Sequence, residues 1–311
     1  MFSKGEHVQR KKENGERPMK RENIRFKSQG LECAGWYYKA GTKGKFSCVV
    51  LGHGFGGVKE ARLDVYAEAF AKAGYNALAF DYRHFGESEG EPRQILDIKK
   101  QHQDWHAAIA FARNQEGVEP GKIILWGSSF AGGHVIPVAI KDGKIAAVIS
   151  QVPNLDGLAT ARTNGVVQAL KLSLAAGRDM LRAVRGKNPY YIPITGEPGD
   201  LAAMTAPGAR DAVEKLFPDD FEPNEDVAAR IILHAPLYSP GKLAHKMAMP
   251  WLIQAAEHDA VTPVKPAFKA AAKAPKSKLL TYKCGHFDVY LAPLFEQVIQ
   301  DQVTFLKNNV Y

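Results

Sequence analysis

The sequence predicts an α/β fold: one sheet of eight mostly parallel strands, helices on both faces, and an inserted helical segment. Three observations predict it. Short apolar runs alternate with longer helix-like stretches over most of the chain, as in sheets built from right-handed crossovers. The runs 46–51, 122–126 and 145–151 are almost continuously apolar, as expected of strands covered on both faces. The alternation stops between about 155 and 246 and then resumes.

The elements follow in order. Residues 1–20 are polar and aperiodic and read as a disordered basic tail. Strands are expected at 22–27, 32–39, 46–51, 75–81, 122–126, 145–151, 249–256 and 277–283. Helices are expected at 60–73, 97–115, 130–141, 264–274 and 292–308. The core therefore spans 21–154 and 247–311, and 155–246 is read as a lid over the C-terminal edge of the sheet. Within that insert, 165–185, 208–216 and 225–234 read as helices, joined by connectors such as NPYYIPITGEPGD.

Composition narrows the function classes. A chain of 311 residues can bury roughly 75% of its unfolded surface without staples. Its 45% hydrophobic and 24% charged residues exclude wholesale disorder. Three widely spaced cysteines, Cys33, Cys48 and Cys284, with no CxxC pair, suit a reducing, cytoplasmic setting and argue against a zinc site. No run approaches the ~18 apolar residues of a membrane span, and no apolar leader opens the chain, so no membrane partner is expected. The net charge of +8 is concentrated at one end: residues 1–27 hold nine basic and four acidic side chains. A tail is the simpler reading than a nucleic-acid surface, which needs a basic patch on the folded body.

Two glycine clusters carry the chemistry. Gly52-His53-Gly54-Phe55-Gly56-Gly57 follows the third strand, and Asp81 ends the next. That spacing matches a dinucleotide-binding fingerprint, so an NAD(P)-dependent oxidoreductase is the rival from another class. Against it, two strands precede the motif. The second cluster, Gly127-Ser128-Ser129-Phe130-Ala131-Gly132-Gly133, joins a strand to a helix. A sharp strand-to-helix turn that presents a serine needs small residues two before and two after it. Ser129 has Gly127 and Ala131 there, whereas Ser128 has Trp126 and Phe130. Ser129 is therefore the nucleophile candidate.

A serine nucleophile needs a base and an orienting acid. Asp259 follows the seventh strand, 130 residues after Ser129, and His286 follows the eighth, 27 further on. All three sit just past strands, on one sheet edge. Glu257 is the alternative acid. Cys284, two residues from His286, has no elbow and reads as a packed thiol. His53 reads as a brace for its loop, while His84, His102, His106, His134 and His258 show no partner and read as surface or packing residues.

GHGFGG, FDYRHFGES, GSSFAGG, EHDAVTP and GHFDVY together resemble the α/β-hydrolase superfamily over about residues 22–308. Within the superfamily the chain resembles the branch that contains dienelactone-hydrolase-like enzymes, X-Pro dipeptidyl-peptidase-like esterases and fungal polyketide transferases. Ala131 departs from the usual glycine. The resemblance implies an eight-stranded hydrolase sheet and an oxyanion hole from the backbone N–H groups of Phe55 and Phe130. It implies a serine hydrolase without cofactor or metal, acting on carboxylic esters, thioesters or small amides. An acyltransferase using the same Ser129, Asp259 and His286 is the alternative. The expected partner is a small acyl substrate bound beneath the lid, and a homodimer is left open.

Overall fold

A computed structural model describes residues 20–41 and 43–310. The expected tail, apart from an exposed Lys20, lies outside the described residues. The main sheet contains β1 (Arg21–Ser28), β2 (Leu31–Tyr38), β3 (Phe46–Gly52), β4 (Asn76–Phe80), β5 (Val118–Ser128), β6 (Ile145–Gln151), β9 (Trp251–Ala256) and β10 (Ser277–Tyr282). Their order is β1-β2-β4-β3-β5-β6-β9-β10. Only β1 with β2 and β2 with β4 pair antiparallel; every other pairing is parallel. The parallel strands thus all end on one edge, and the loops after β3, β5, β9 and β10 meet there.

Alternation along each strand feeds two helical layers, because successive side chains point to opposite faces. Val50, Leu78, Ile123, Leu125, Val148 and Ile253 pack with α2 (Ile98–Arg113), α3 (Phe130–Asp142) and α8 (Lys265–Ala271). Val49, Leu51, Ile124, Trp126, Ile149 and Leu252 pack with α1 (Leu63–Lys72) and α9 (Leu294–Asn309). Both faces of the inner strands are buried, which is why they lack a polar alternate.

The segment 155–246 adds α4 (Gly157–Arg162), α5 (Gly165–Val184), β7 (Tyr191–Pro193), α6 (Ala209–Glu214), β8 (Asp226–Ala228) and α7 (Ile231–His234). Here one expectation fails. The stretch 225–234 is not one helix: Asp226–Ala228 pairs antiparallel with Tyr191–Pro193, and only Ile231–His234 is helical. The local pattern DVAARIILH fits either state. A long-range clamp decides it: the Ala228 N–H donates to the Gln94 carbonyl (3.0 Å) and the Gln94 side chain to the Asp226 carbonyl (2.7 Å). Helix α4 had no visible periodicity at six residues; the Asp156 carboxylate caps it by accepting from the Leu158 and Ala159 N–H groups.

Buried Asp179 of α5 ties the insert together. Its carboxylate accepts from the Tyr190 and Arg230 N–H groups, both at 2.8 Å, and from the Arg230 guanidinium at 2.7 and 2.9 Å. Burial would raise this carboxyl, but the Arg230 and backbone donors outweigh it and hold it below the ordinary carboxylate value.

Candidate active site

Ser129 stands between the end of β5 and the start of α3 with φ 55° and ψ −117°. A non-glycine residue at positive φ is held there by its surroundings. Those surroundings are explicit: the Ser129 N–H donates to the Gln151 carbonyl, and its own carbonyl accepts from the Asn154 N–H, both at 2.9 Å. The turn is so tight that a Cβ on Gly127 would lie 2.3 Å from the Ala131 carbonyl oxygen. A Cβ on Gly54 would come within 3.0 Å of the Ser129 Cβ. Ser128, by contrast, is fully buried and hydrogen-bonded to Tyr290 and Gln151.

The structure brings Ser129, His286 and Asp259 together. His286 Nε2 lies 3.0 Å from Ser129 Oγ, and His286 Nδ1 lies 2.7 Å from Asp259 Oδ2. The His286 and Asp259 side chains are almost fully buried. Asp259 also accepts from the Val261 and Thr262 N–H groups (2.8 and 2.6 Å) and from Thr262 Oγ1 (2.8 Å). Burial alone would raise the Asp259 carboxyl. The facing His286 ring and the Thr262 donors outweigh it, so the group is held below the ordinary carboxylate value. The alternative acid, Glu257, is exposed and accepts from Thr281 Oγ1 instead. Cys284 is half-buried, and burial pushes its thiol up to about 11, which leaves almost no thiolate at neutral pH.

The two expected oxyanion donors flank the serine. Phe130 is the first residue of α3, so its N–H has no acceptor within the helix. Phe55 lies in the turn closed by the Gly57 N–H to the Gly54 carbonyl (3.3 Å). The Phe55 and Phe130 rings meet edge to face, 5.6 Å apart. His53 beneath this turn is buried; burial, opposed by Asp81, lowers its imidazole to about 4. Its Nδ1 is 3.1 Å from the Gly54 carbonyl, a brace for the loop.

Asp81 is not free to hold a ribose. It is fully buried and accepts from the Lys59 N–H and the Lys59 ammonium (2.8 and 2.7 Å) and from the Glu87 N–H (3.1 Å). The dinucleotide reading of the first glycine cluster therefore loses its acidic partner.

Several contributors were invisible in the sequence. Thr262 touches both Asp259 and His286, the latter at 3.2 Å from Nδ1. Under Phe130, His134 is bonded to Gln101 and Tyr238, and His102 to His134 and Tyr238. These histidines were expected to lack partners; their partners lie on α2, on α3 and in the segment 155–246, more than thirty residues away. His84 likewise pairs with Lys100 and the Pro92 carbonyl.

Two mostly apolar lobes meet at Ser129 and share Phe55 and Met204. They measure about 950 and 810 Å³, counting space open to solvent. The first runs between Ile194, Leu216, Phe217 and Phe287. The second runs between Phe130, Leu172, Ala203 and Ile232. The segment 155–246 supplies walls to both.

A sheet with this strand order, carrying a serine elbow paired to a buried histidine and aspartate, defines a serine hydrolase of the α/β-hydrolase class. The chain belongs to that superfamily, in the branch of a bacterial relative, quorum-quenching protein AidA of Acinetobacter baumannii (strain MDR-ZJ06). The two are 38% identical over 288 residues, covering 93% of this chain and 95% of the relative. The family described as serine aminopeptidase, S33, matches residues 45–189. Polyketide transferase ATR5 of Stachybotrys chlorohalonatus is 37% identical over 186 residues, 60% of each chain. The crystal structure of the α/β hydrolase GrgF from Penicillium sp. sh18 superposes with a TM-score of 0.79 at 23% identity, covering 94% of this chain and 99% of that one. Among the described residues no helix is long and apolar enough to cross a membrane.

Proposed function

We propose that the chain hydrolyses carboxylic esters with an apolar acyl group, through an acyl-enzyme on Ser129. The reading rests on one observation: the chain of contacts from Asp259 through His286 to Ser129 Oγ ends where the two apolar lobes join. Ser129 Oγ attacks the acyl carbonyl while His286 Nε2 takes its proton. Asp259 holds the Nδ1–H and stabilises the imidazolium that forms. The Phe55 and Phe130 N–H groups meet the developing oxyanion, each worth roughly 3 kcal/mol in comparable sites. The leaving alcohol receives the proton from His286, and water then repeats the sequence on the acyl-enzyme. We read 155–246 as the lid that sets acyl preference, since it walls both lobes. A cytoplasmic location fits the three free cysteines.

A second reading, acyl transfer to an alcohol or amine, is favoured by the second lobe, which could seat an acceptor across Ser129 from the acyl chain. It is in keeping with the printed name of the ATR5 relative, as hydrolysis is with the S33 family. The test is a screen of p-nitrophenyl esters of graded acyl length, with and without added alcohols. Ser129→Ala should lower kcat by a factor on the order of 10⁴ to 10⁶, and a fluorophosphonate probe should label Ser129 alone. Labelling at Ser128, or full activity in the alanine variant, would sink the assignment. New esters formed from the added alcohol would decide for transfer.

A further inference from the structure

We propose that helix α5 is the two-fold interface of a homodimer, paired antiparallel with α5 of a second copy. The helix has two faces. One, with Gln168, Leu172, Ala175, Ala176 and Asp179, is buried in its own chain. The other carries Val167, Leu170, Leu174, Gly177, Leu181 and Val184, and its five apolar side chains are between 50% and 82% exposed. Their spacing is 3, 4, 3, 4, 3, the seam of a coiled coil rather than the broader stripe of a surface helix.

The seam is complementary to itself in one orientation. A two-fold axis between residues 175 and 176 sets Val167 against Val184, Leu170 against Leu181, and Leu174 against Gly177. Gly177 is the notch: a Cβ there would have no heavy atom within 4 Å, so the Leu174 side chain of a second copy fills it. Parallel pairing would instead set Gly177 against Gly177 and leave a hole. The five exposed side chains offer on the order of 500 Å² of apolar surface per copy. Complete cover of both seams would bury about 1,000 Å², the least that a specific interface needs.

A second copy is favoured over a lipid surface because three of the cations beside the seam are turned back onto their own chain. Lys171 Nζ donates to the Gly199 carbonyl at 3.0 Å, Arg182 Nε donates to the Asn188 carbonyl at 2.7 Å, and the Arg178 guanidinium lies 4.3 Å from the Tyr190 ring centroid. Arg185, one residue past the helix, is exposed.

The experiment is sedimentation equilibrium on the full-length chain across the micromolar range. The wild type should dimerise. The double variant Leu170→Glu/Leu174→Glu should be monomeric with unchanged far-UV circular dichroism. Gly177→Leu should weaken the dimer by about tenfold or more by overfilling the notch. Adding Leu174→Ala to Gly177→Leu should restore most of that loss, which a merely unstable helix would not show. A wild type that stays monomeric, or a dimer indifferent to the glutamate pair, overturns the proposal. So does a monomer that floats with phosphatidylglycerol vesicles, which would make the seam a lipid-binding face. None of these readouts depends on which ester is cleaved.

Discussion

Asp259 does three things with two oxygens. Oδ1 accepts the Val261 and Thr262 N–H groups and so closes its own turn, while Oδ2 faces His286 Nδ1 and Thr262 Oγ1. The turn aims the carboxylate at the imidazole before substrate arrives. Replacing it by asparagine removes the charge and allows the wrong tautomer, so Asp259→Asn should lower kcat/KM by roughly 10⁴ at neutral pH. A stability effect accompanies it. The carboxyl is held below its ordinary value in the folded state. Its contribution is therefore present above the unfolded value and is lost as pH falls through the depressed one. Denaturant titrations across the acid range should show a shallower loss of stability in Asp259→Asn than in wild type. Near-full activity in that variant would move the acid role away from Asp259.

At the scale of elements, the insert depends on few anchors. Asp179 accepts four hydrogen bonds from the strand entry at Tyr190 and from Arg230. Asp179→Ala leaves the Arg230 guanidinium half-desolvated without its partner, a loss of about 3 kcal/mol. Limited proteolysis should then cut within 155–246 well before the core, while the wild type resists. Equal resistance would show that the apolar walls hold the insert unaided. The same contrast explains what the sequence disclosed. The eight strands of the main sheet and its five covering helices could be read within a few residues, because each has a period or a continuous apolar run. The elbow, Asp259 and His286 could be placed because each directly follows such a strand. Strands β7 and β8 could not: three residues carry no period, and their pairing rests on Gln94, far away in the chain. Thr262 and the His102–His134–Tyr238 cluster escaped for the same reason, since a serine-like side chain or a lone histidine announces no distant partner.

At the scale of the whole molecule, one buried charge cluster joins the edge of the sheet to the loop that carries Phe55. The fully buried Lys59 ammonium lies 2.7, 2.7 and 2.8 Å from Glu60, Asp81 and Glu87. Burial, reinforced by Asp81 and opposed by Lys59, pushes the Glu60 carboxyl up to about 7. This sign is the reverse of the one at Asp259. The folded chain holds a proton on Glu60 that the unfolded chain has released, so this group stabilises less as pH rises from about 4.5 to about 7. Glu60→Gln should remove that decline, read as a flatter Tm between those pH values; an unchanged profile would deny the shift.

The backbone of Ser129 has a consequence in time as well as space. Its amide is bonded into the Gln151 carbonyl at the end of β6, as the next strand's Gln254 carbonyl is bonded by Val152. This amide therefore opens only when the central sheet does. In deuterated solvent it should be among the last in the chain to exchange, so the backbone that presents the candidate nucleophile keeps its geometry for as long as the central sheet stays closed.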